Sequence, residues 1–455
     1  MKRFALATLV AIAAAGPANA QPAVRLADRD IVEAYEYLLG RLLVLRQENL
    51  DFKEGFKWNE IIHRAPGAVD WANPNLDVVY SEAWIGLDEK SCTLIEIPEI
   101  KNRYYTVQAL NGWGETTANI NERNFPKHPS GKFAFCLKKT EAVLPKGTQR
   151  VILPNPKSRI LMRIELGAHP ENAIALQKKV TMKATGKAPV IEEAVVKPSF
   201  TNSALPGVEA FDKAAAILAS EADINPGMID VREKVGAIAK AAADRTQRAR
   251  IDEVIRKQAI PAFHAEILKM GKAENGWMRP RVIGNYRTDY VMRTIANYTG
   301  IWANNSKEVV YFAGQNLDGS QTFTQTFPKD ALPRTKTRYF WSAIVVDDAN
   351  FKVIPNSLNR FLLNKQSPLT FGDDGSLTVA FGPKQPDGIP ESNWLPTPEG
   401  KKYNVTLRFY GPTKDVTDGK YFPPPLVRTS QTRTEQLIQN LKNQQLLQKL
   451  KKSKQ

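Results

Sequence analysis

Asp77, Tyr80, Arg103 and Tyr104 fall within one turn-rich block of the chain. The block runs Asn73-Pro-Asn-Leu-Asp-Val-Val-Tyr80 and continues at Arg103-Tyr-Tyr-Thr-Val-Gln-Ala-Leu-Asn-Gly-Trp113. A carboxylate among tyrosines and an arginine could move a proton in acid/base catalysis or orient a polar ligand. Asp77 and Asn75 equally suit an Asx turn, in which the side-chain oxygen takes a nearby backbone N–H. The planar fork of Arg103 matches a carboxylate, phosphate or sulfate on a ligand; it could instead pair with Asp77. Arg408, in Leu407-Arg-Phe-Tyr-Gly-Pro412, is a second candidate for holding an anion. Trp71, Tyr80, Trp84, Tyr104, Tyr105 and Trp113 could form a platform for a sugar or aromatic ligand, or fill a sandwich core.

Other chemistries find no support in the spacing. His63, His128, His169 and His264 show no helical or hairpin ligand spacing, so no metal site is expected. No Gly-x-Ser-x-Gly elbow is present. Gly271 to Gly276 is not a phosphate loop, and no cofactor is expected. Cys92 and Cys136 make a candidate disulfide, and geometry decides whether it closes. They form no redox Cys-x-x-Cys motif.

The elements that must carry these residues change character along the chain. Asp28 to Asn49 reads as a helix, with Ile31, Tyr35, Leu38, Leu39, Leu42, Leu43 and Leu45 at helical spacing and Asp28 as a cap. Trp71 to Ile164 reads as short strands between turns, including 92–97, 104–110, 132–137 and 150–153. Pro170 to Thr185 looks helical. Val208 to about Lys272 is alanine-rich and helical, with breaks at Pro226-Gly227 and Pro261, and a further helix is expected around Tyr290 to Tyr298. Strand alternation returns after Val309, at 321–327, 339–346, 377–381 and 403–410. The expected fold class is α+β, with two β-sandwich-like, jelly-roll-type domains, a helical N-terminal segment and a helical insertion between them. Expected boundaries are 21–186 for the helix plus first β domain, 187–300 for the helical connection, and 301–428 for the second β domain.

Residues 1–20 carry the pattern of a signal peptide. Lys2 and Arg3 precede an apolar run from Phe4 to Ala15, and Ala18-Asn-Ala20 is a small-residue cleavage site. A periplasmic or secreted address follows as an expectation. The formal net charge of +16 would in another compartment suggest nucleic acid. In an exported protein it points to acidic small molecules, surface polysaccharide or anionic lipid, or to solubility alone. The tail, 429–455, places Leu437, Leu441, Leu447 and Leu450 beside several lysines. It reads as a basic amphipathic helix, for peripheral contact with an anionic membrane or for packing on its own domain. Homo-oligomerisation stays open.

The two blocks together resemble the tandem domain-of-unknown-function families 1254 (N-terminal) and 1214 (C-terminal). The first module is similar over roughly Asn73 to Gln177, on Asn75-Leu-Asp77-Val-Val-Tyr80 and Arg103-Tyr104-Tyr105. The second is similar over roughly Arg338 to Pro424, on Phe340-Trp341-Ser342, Asp374-Gly375-Ser376, Asn393-Trp-Leu-Pro396 and Arg408, Tyr410, Pro412. The chain departs from the pattern at Asn73 and Val78, where the families carry threonine. The resemblance implies two β-sandwich-like domains with intervening helices, and no reaction mechanism. The leading expectation is an exported protein binding a small polar or anionic ligand in an inter-domain cleft, through Tyr80, Arg103, Tyr104 and Arg408. The alternatives are a periplasmic hydrolase or lyase with Asp77 as acid/base, and an envelope-interaction protein docking through its tail.

Overall fold

Strand alternation in the first β region serves two different partners. The computed structural model describes residues 26–189, 191 and 196–429. In it, Val78–Gly86, Lys157–Glu165 and Tyr105–Leu110 are central strands of a five-stranded sheet, flanked by Ile62–His63 and Thr116–Ile120. One face of this sheet carries Val79, Ala83, Ile85, Val107, Ala109, Ile160, Met162 and Ile164. It packs on Ile95, Ile97, Phe133 and Phe135 of a four-stranded sheet to make the first sandwich. The opposite face carries Val78, Tyr80, Trp84, Tyr104, Leu110 and Leu161. These are buried too, against Ile301, Trp302, Val309, Phe340 and Tyr410 from the C-terminal half. The central strands are therefore buried on both faces.

The C-terminal half repeats the plan. A six-stranded sheet runs in the order Gly271–Glu274, Trp277–Pro280, Val309–Asp318, Lys402–Pro412, Thr337–Asp347, Leu362–Asn364. Its inner face, with Phe312, Trp341, Val345, Val405, Leu407 and Phe409, packs on Phe327, Leu377, Val379, Phe381 and Leu395 of a four-stranded sheet. Its outer face carries Tyr311, Ala313, Asn404, Thr406, Arg408 and Tyr410, turned toward the first sandwich and the helices. The fold is thus α+β with two sandwiches and no closed barrel among the described residues.

The helices wedge into one side of this pair. Helix Asp28–Glu54 is buried almost all round, against Tyr290–Gly300 and Ile229–Ala241. It crosses Tyr290–Gly300 at Gly40, where a Cβ would lie 2.5 Å from Thr294 Oγ1. Its far end ties down on the first sheet, where Asp51 accepts from Trp84 Nε1 at 2.8 Å and pairs with Arg159 at 3.3 Å. Cys92 and Cys136 are joined by a disulfide.

Several sequence expectations need correction. Asp28 is not the cap: Ala27 holds that position without a side-chain bond, and the Asp28 carboxylate accepts from Arg250 and Gln258. Pro170 to Thr185 is a helix only to Gln177, after which Thr181–Ala184 pairs with Thr93–Ile97. Pro261 does not break its helix but follows a π-turn at Ile255–Ala259. The hairpin 271–280, read as part of the helical connection, joins the second sandwich through Met278 and Ala313. The expected leader at 1–20 and most of the expected basic tail lie outside the described residues. Among the described residues no helix is long and apolar enough to cross a membrane.

Candidate functional site

The loop between Trp71 and Asp77 closes a cavity between the two sandwiches. Asn73 takes a left-handed backbone, φ 50°, which asparagine tolerates better than most residues. Its side chain donates to Thr299 O at 2.7 Å and accepts from Thr406 Oγ1 at 2.7 Å, and its N–H donates to Phe351 O at 2.8 Å. Arg408 reaches up from the second sheet and donates to Asn73 O and Pro74 O, each at 2.8 Å. Asn75 makes the Asx turn, its Oδ1 accepting from Asp77 N at 2.8 Å, while its own N–H donates to the Tyr80 hydroxyl oxygen at 3.0 Å. Two domains and a helix thus hold one short loop.

Beneath the loop, the strand register brings the outer faces of the two large sheets together. Tyr311 pairs with Arg408, and Val309 with Tyr410, on the second sheet. Tyr80 pairs with Arg163 on the first. Arg163 is buried, with its guanidinium over the Tyr80 ring at 5.6 Å from the centroid and donating to Gln108 Oε1 and Trp302 O. No carboxylate lies within ion-pair distance of Arg163 or Arg408 among the described residues, although both are buried. Burial works against the charge of Arg163, while Tyr80, Tyr410 and Tyr311, once ionised at high pH, would raise its pKa above the ordinary value, so at neutral pH it is charged. Burial also pushes up the phenols of Tyr80, Tyr311 and Tyr410, so all three stay protonated donors at neutral pH.

The cavity has a volume of about 90 Å³, room for about six waters or a small ligand. Three buried side-chain atoms on lining residues have no hydrogen-bond partner: Arg163 Nε, Trp302 Nε1 and Asn404 Nδ2. All three are N–H donors, whereas the Asn75 amide faces the Tyr410 hydroxyl. The two asparagine orientations are settled because each Oδ1 accepts a backbone N–H, from Asp77 and from Asn316 at 2.8 Å. The site therefore has two buried guanidiniums outside any ion pair, Arg408 interacting at longer range with the Asp77 carboxyl, and unpartnered N–H donors.

The sequence candidates separate around this cavity. Tyr80 and Arg408 line it. Asp77 does not; it is buried beside it, accepting from Asn364 Nδ2 at 2.7 Å. Burial pushes its carboxyl above the usual carboxylate range, against the pull of Ser342, Asn364 and Arg408. Arg103 does not reach Asp77: it forks onto the backbone carbonyls of Glu165 and Leu166. Tyr104 stands behind Tyr410, ring centroids 4.9 Å apart, and donates to Glu308 Oε2 at 3.1 Å in a network with Arg123 and Asn121. Trp71 and Tyr80 meet edge to face at the cavity wall, while Trp84, Tyr105 and Trp113 are core residues. Sequence reasoning missed Arg163, Trp302, Tyr311 and Asn404. Arg163 alternates with Met162 and Ile164, a pattern that ordinarily marks a solvent face. Among the described residues no cluster of His, Cys, Asp and Glu could hold a metal ion.

Comparison with known proteins places the two sandwiches. Residues 58–184 match the family described as Protein of unknown function (DUF1254), and residues 310–414 match Protein of unknown function (DUF1214). No curated protein matches the chain. The crystal structure of the VPA0106 protein from Vibrio parahaemolyticus is similar over 89% of this chain and 100% of its own, with a TM-score of 0.58 at 18% identity. That likeness shows the fold. An uncharacterized protein from Burkholderia cenocepacia aligns over 85% of this chain and 90% of its own at 11% identity, with a TM-score of 0.43.

Proposed function

We propose, from the premise that this chain carries the DUF1254 and DUF1214 domains in tandem, that it is an exported protein holding a small anionic ligand between them. One observation carries the reading: Arg163 is buried at the cavity without a carboxylate partner, and Arg408 in the same wall makes no ion pair. A buried charge without a counter-ion costs several kcal/mol, and a bound anion would offset that cost. Tyr80, Tyr311 and Tyr410 would add neutral donors to the same anion. The export half of the proposal rests on the leader pattern at 1–20 and on the Cys92–Cys136 disulfide, which suits an oxidising compartment. The acid/base reading of Asp77 gains nothing from its position behind the lining.

Anion binding is tested by thermal unfolding in the presence of acetate, benzoate, sulfate and phosphate. A binder present at a hundredfold its Kd should stabilise the protein by about 2.7 kcal/mol. Arg163→Leu should abolish that response. Its unliganded stability should change little, because losing the hydrogen bonds to Gln108 and Trp302 is offset by removing an uncompensated buried charge. If no anion stabilises the wild type, or the variant responds as wild type does, the reading is wrong.

A further inference from the structure

We infer that the ligand is a monocarboxylic acid with an apolar body, its carboxylate at the arginine end of the cavity and its body along the methionine-lined end. The inference rests on the anion-binding reading above and names the class of anion. The cavity is not uniform along its length. At one end, Tyr80, Tyr410, Trp302 and Ile301 belong to the aromatic cluster around the two arginines. At the other, Met270, Met292, Ala296, Phe351 and Ala313 belong to, or pack against, the separate helical core. The strand register gives this division a direction. Tyr311 sits opposite Arg408, and two residues along, on the same face, Ala313 sits opposite Thr406 and Met278, with Gln315 and Asn404 the polar residues beyond them.

Such a gradient selects between anions. Phosphate or sulfate would satisfy the arginine end and leave the other end empty. An acid with a hydrocarbon body fills both. Met270 and Met292 suit that role, since unbranched thioether side chains adapt to the shape of an apolar partner. The small side chains at Ala296 and Ala313 leave the width for it. Nothing at the methionine end supplies a cation for a second carboxylate: the described cavity wall places its arginines only at the other end.

Titration calorimetry with acetate, hexanoate and phosphate tests this. Each methylene buried should tighten binding about fourfold, so hexanoate should bind at least about tenfold more tightly than acetate, and phosphate, which fills only the arginine end, should compete with hexanoate weakly. Ala313→Leu narrows the apolar end without touching either arginine. It should weaken hexanoate and leave acetate unchanged. Should that variant fail to fold, Met270→Ala enlarges the same end and should shift the preference from hexanoate toward octanoate. Hexanoate no tighter than acetate, phosphate binding more tightly than hexanoate, or Ala313→Leu weakening acetate and hexanoate alike would each overturn the inference while anion binding stands. Binding of none of the three would remove the anion reading as well.

Discussion

Residue by residue, burial decides what the charged groups of this chain do. Glu221 lies in the interior, its Oε1 accepting from Gly112 N at 3.2 Å. Burial raises its pKa to about 7, against the opposing pull of Arg41. A carboxyl whose folded pKa is raised binds its proton more tightly in the native state. Its contribution to stability is therefore fully present below about 4.5 and lost as pH rises through about 7. Glu36, also raised to about 7 by burial, acts in the same direction. His63 and His264, lowered by burial, act in the opposite one. The difference between wild type and Glu221→Gln isolates the glutamate. Urea unfolding at pH 5 and pH 8 should show the variant gaining on wild type by a few kcal/mol at the higher pH; an unchanged difference would mean Glu221 titrates as an exposed carboxyl does. The same burial explains what the sequence could and could not show. Tyr80 and Arg408 stood out because they sit in turn-rich motifs. Arg163 did not, because an arginine alternating with Met162 and Ile164 looks solvated until a second domain covers its face.

Among the elements, the crossing of helix Asp28–Glu54 with helix Tyr290–Gly300 sets one wall of the cavity, since Met292, Ala296, Thr299 and Gly300 all line it. Gly40 allows the close approach. Alanine at an ordinary helix position is favoured over glycine by roughly 0.5–1 kcal/mol. Here its Cβ would meet the hydroxyl of Thr294, which is buried and already donates to Glu36 O at 2.9 Å. Overpacking costs typically about 1–3 kcal/mol, so the clash wins. Gly40→Ala should lower the unfolding free energy and weaken ligand binding together; a stabilised variant would show that the helices separate freely. The first helix was legible because Ile31, Tyr35, Leu38 and Leu42 repeat at helical spacing. The hairpin 271–280 was not, although Asn275 and Gly276 take the left-handed backbone of a tight two-residue turn, φ 57° and 80°. It followed a long alanine-rich helical stretch, and only four residues form each of its strands. The strand at Thr181–Ala184 was hidden in the same way behind the helix Pro170–Gln177. Local composition reports the dominant neighbour, whereas pairing with Thr93–Ile97 is a long-range fact.

At the scale of the molecule, the two sandwiches share more than a contact. The central strands of the first sheet bury their outer face against the second half and the first helix. Trp302, from beyond the helical segment, lies edge to face with Trp84 at 5.9 Å and accepts from Arg163 through its carbonyl. Arg159, Glu82 and Asp51 form an ion cluster on the same face, joining the first helix to the first sheet. Separating the halves would expose several aromatic rings and both cavity arginines at once. A polar, weakly packed boundary would let each domain melt alone, as is common between domains, but this boundary is built like a core. We therefore expect a single unfolding transition in calorimetry, with equal calorimetric and van 't Hoff enthalpies. Two resolved transitions would show that the sandwiches are independent. Because the cavity takes Arg163 and Tyr80 from one sandwich and Arg408, Tyr311 and Tyr410 from the other, a bound acid must move that one transition as a whole. A ligand that shifted only part of the melting profile would be binding somewhere other than between the sheets.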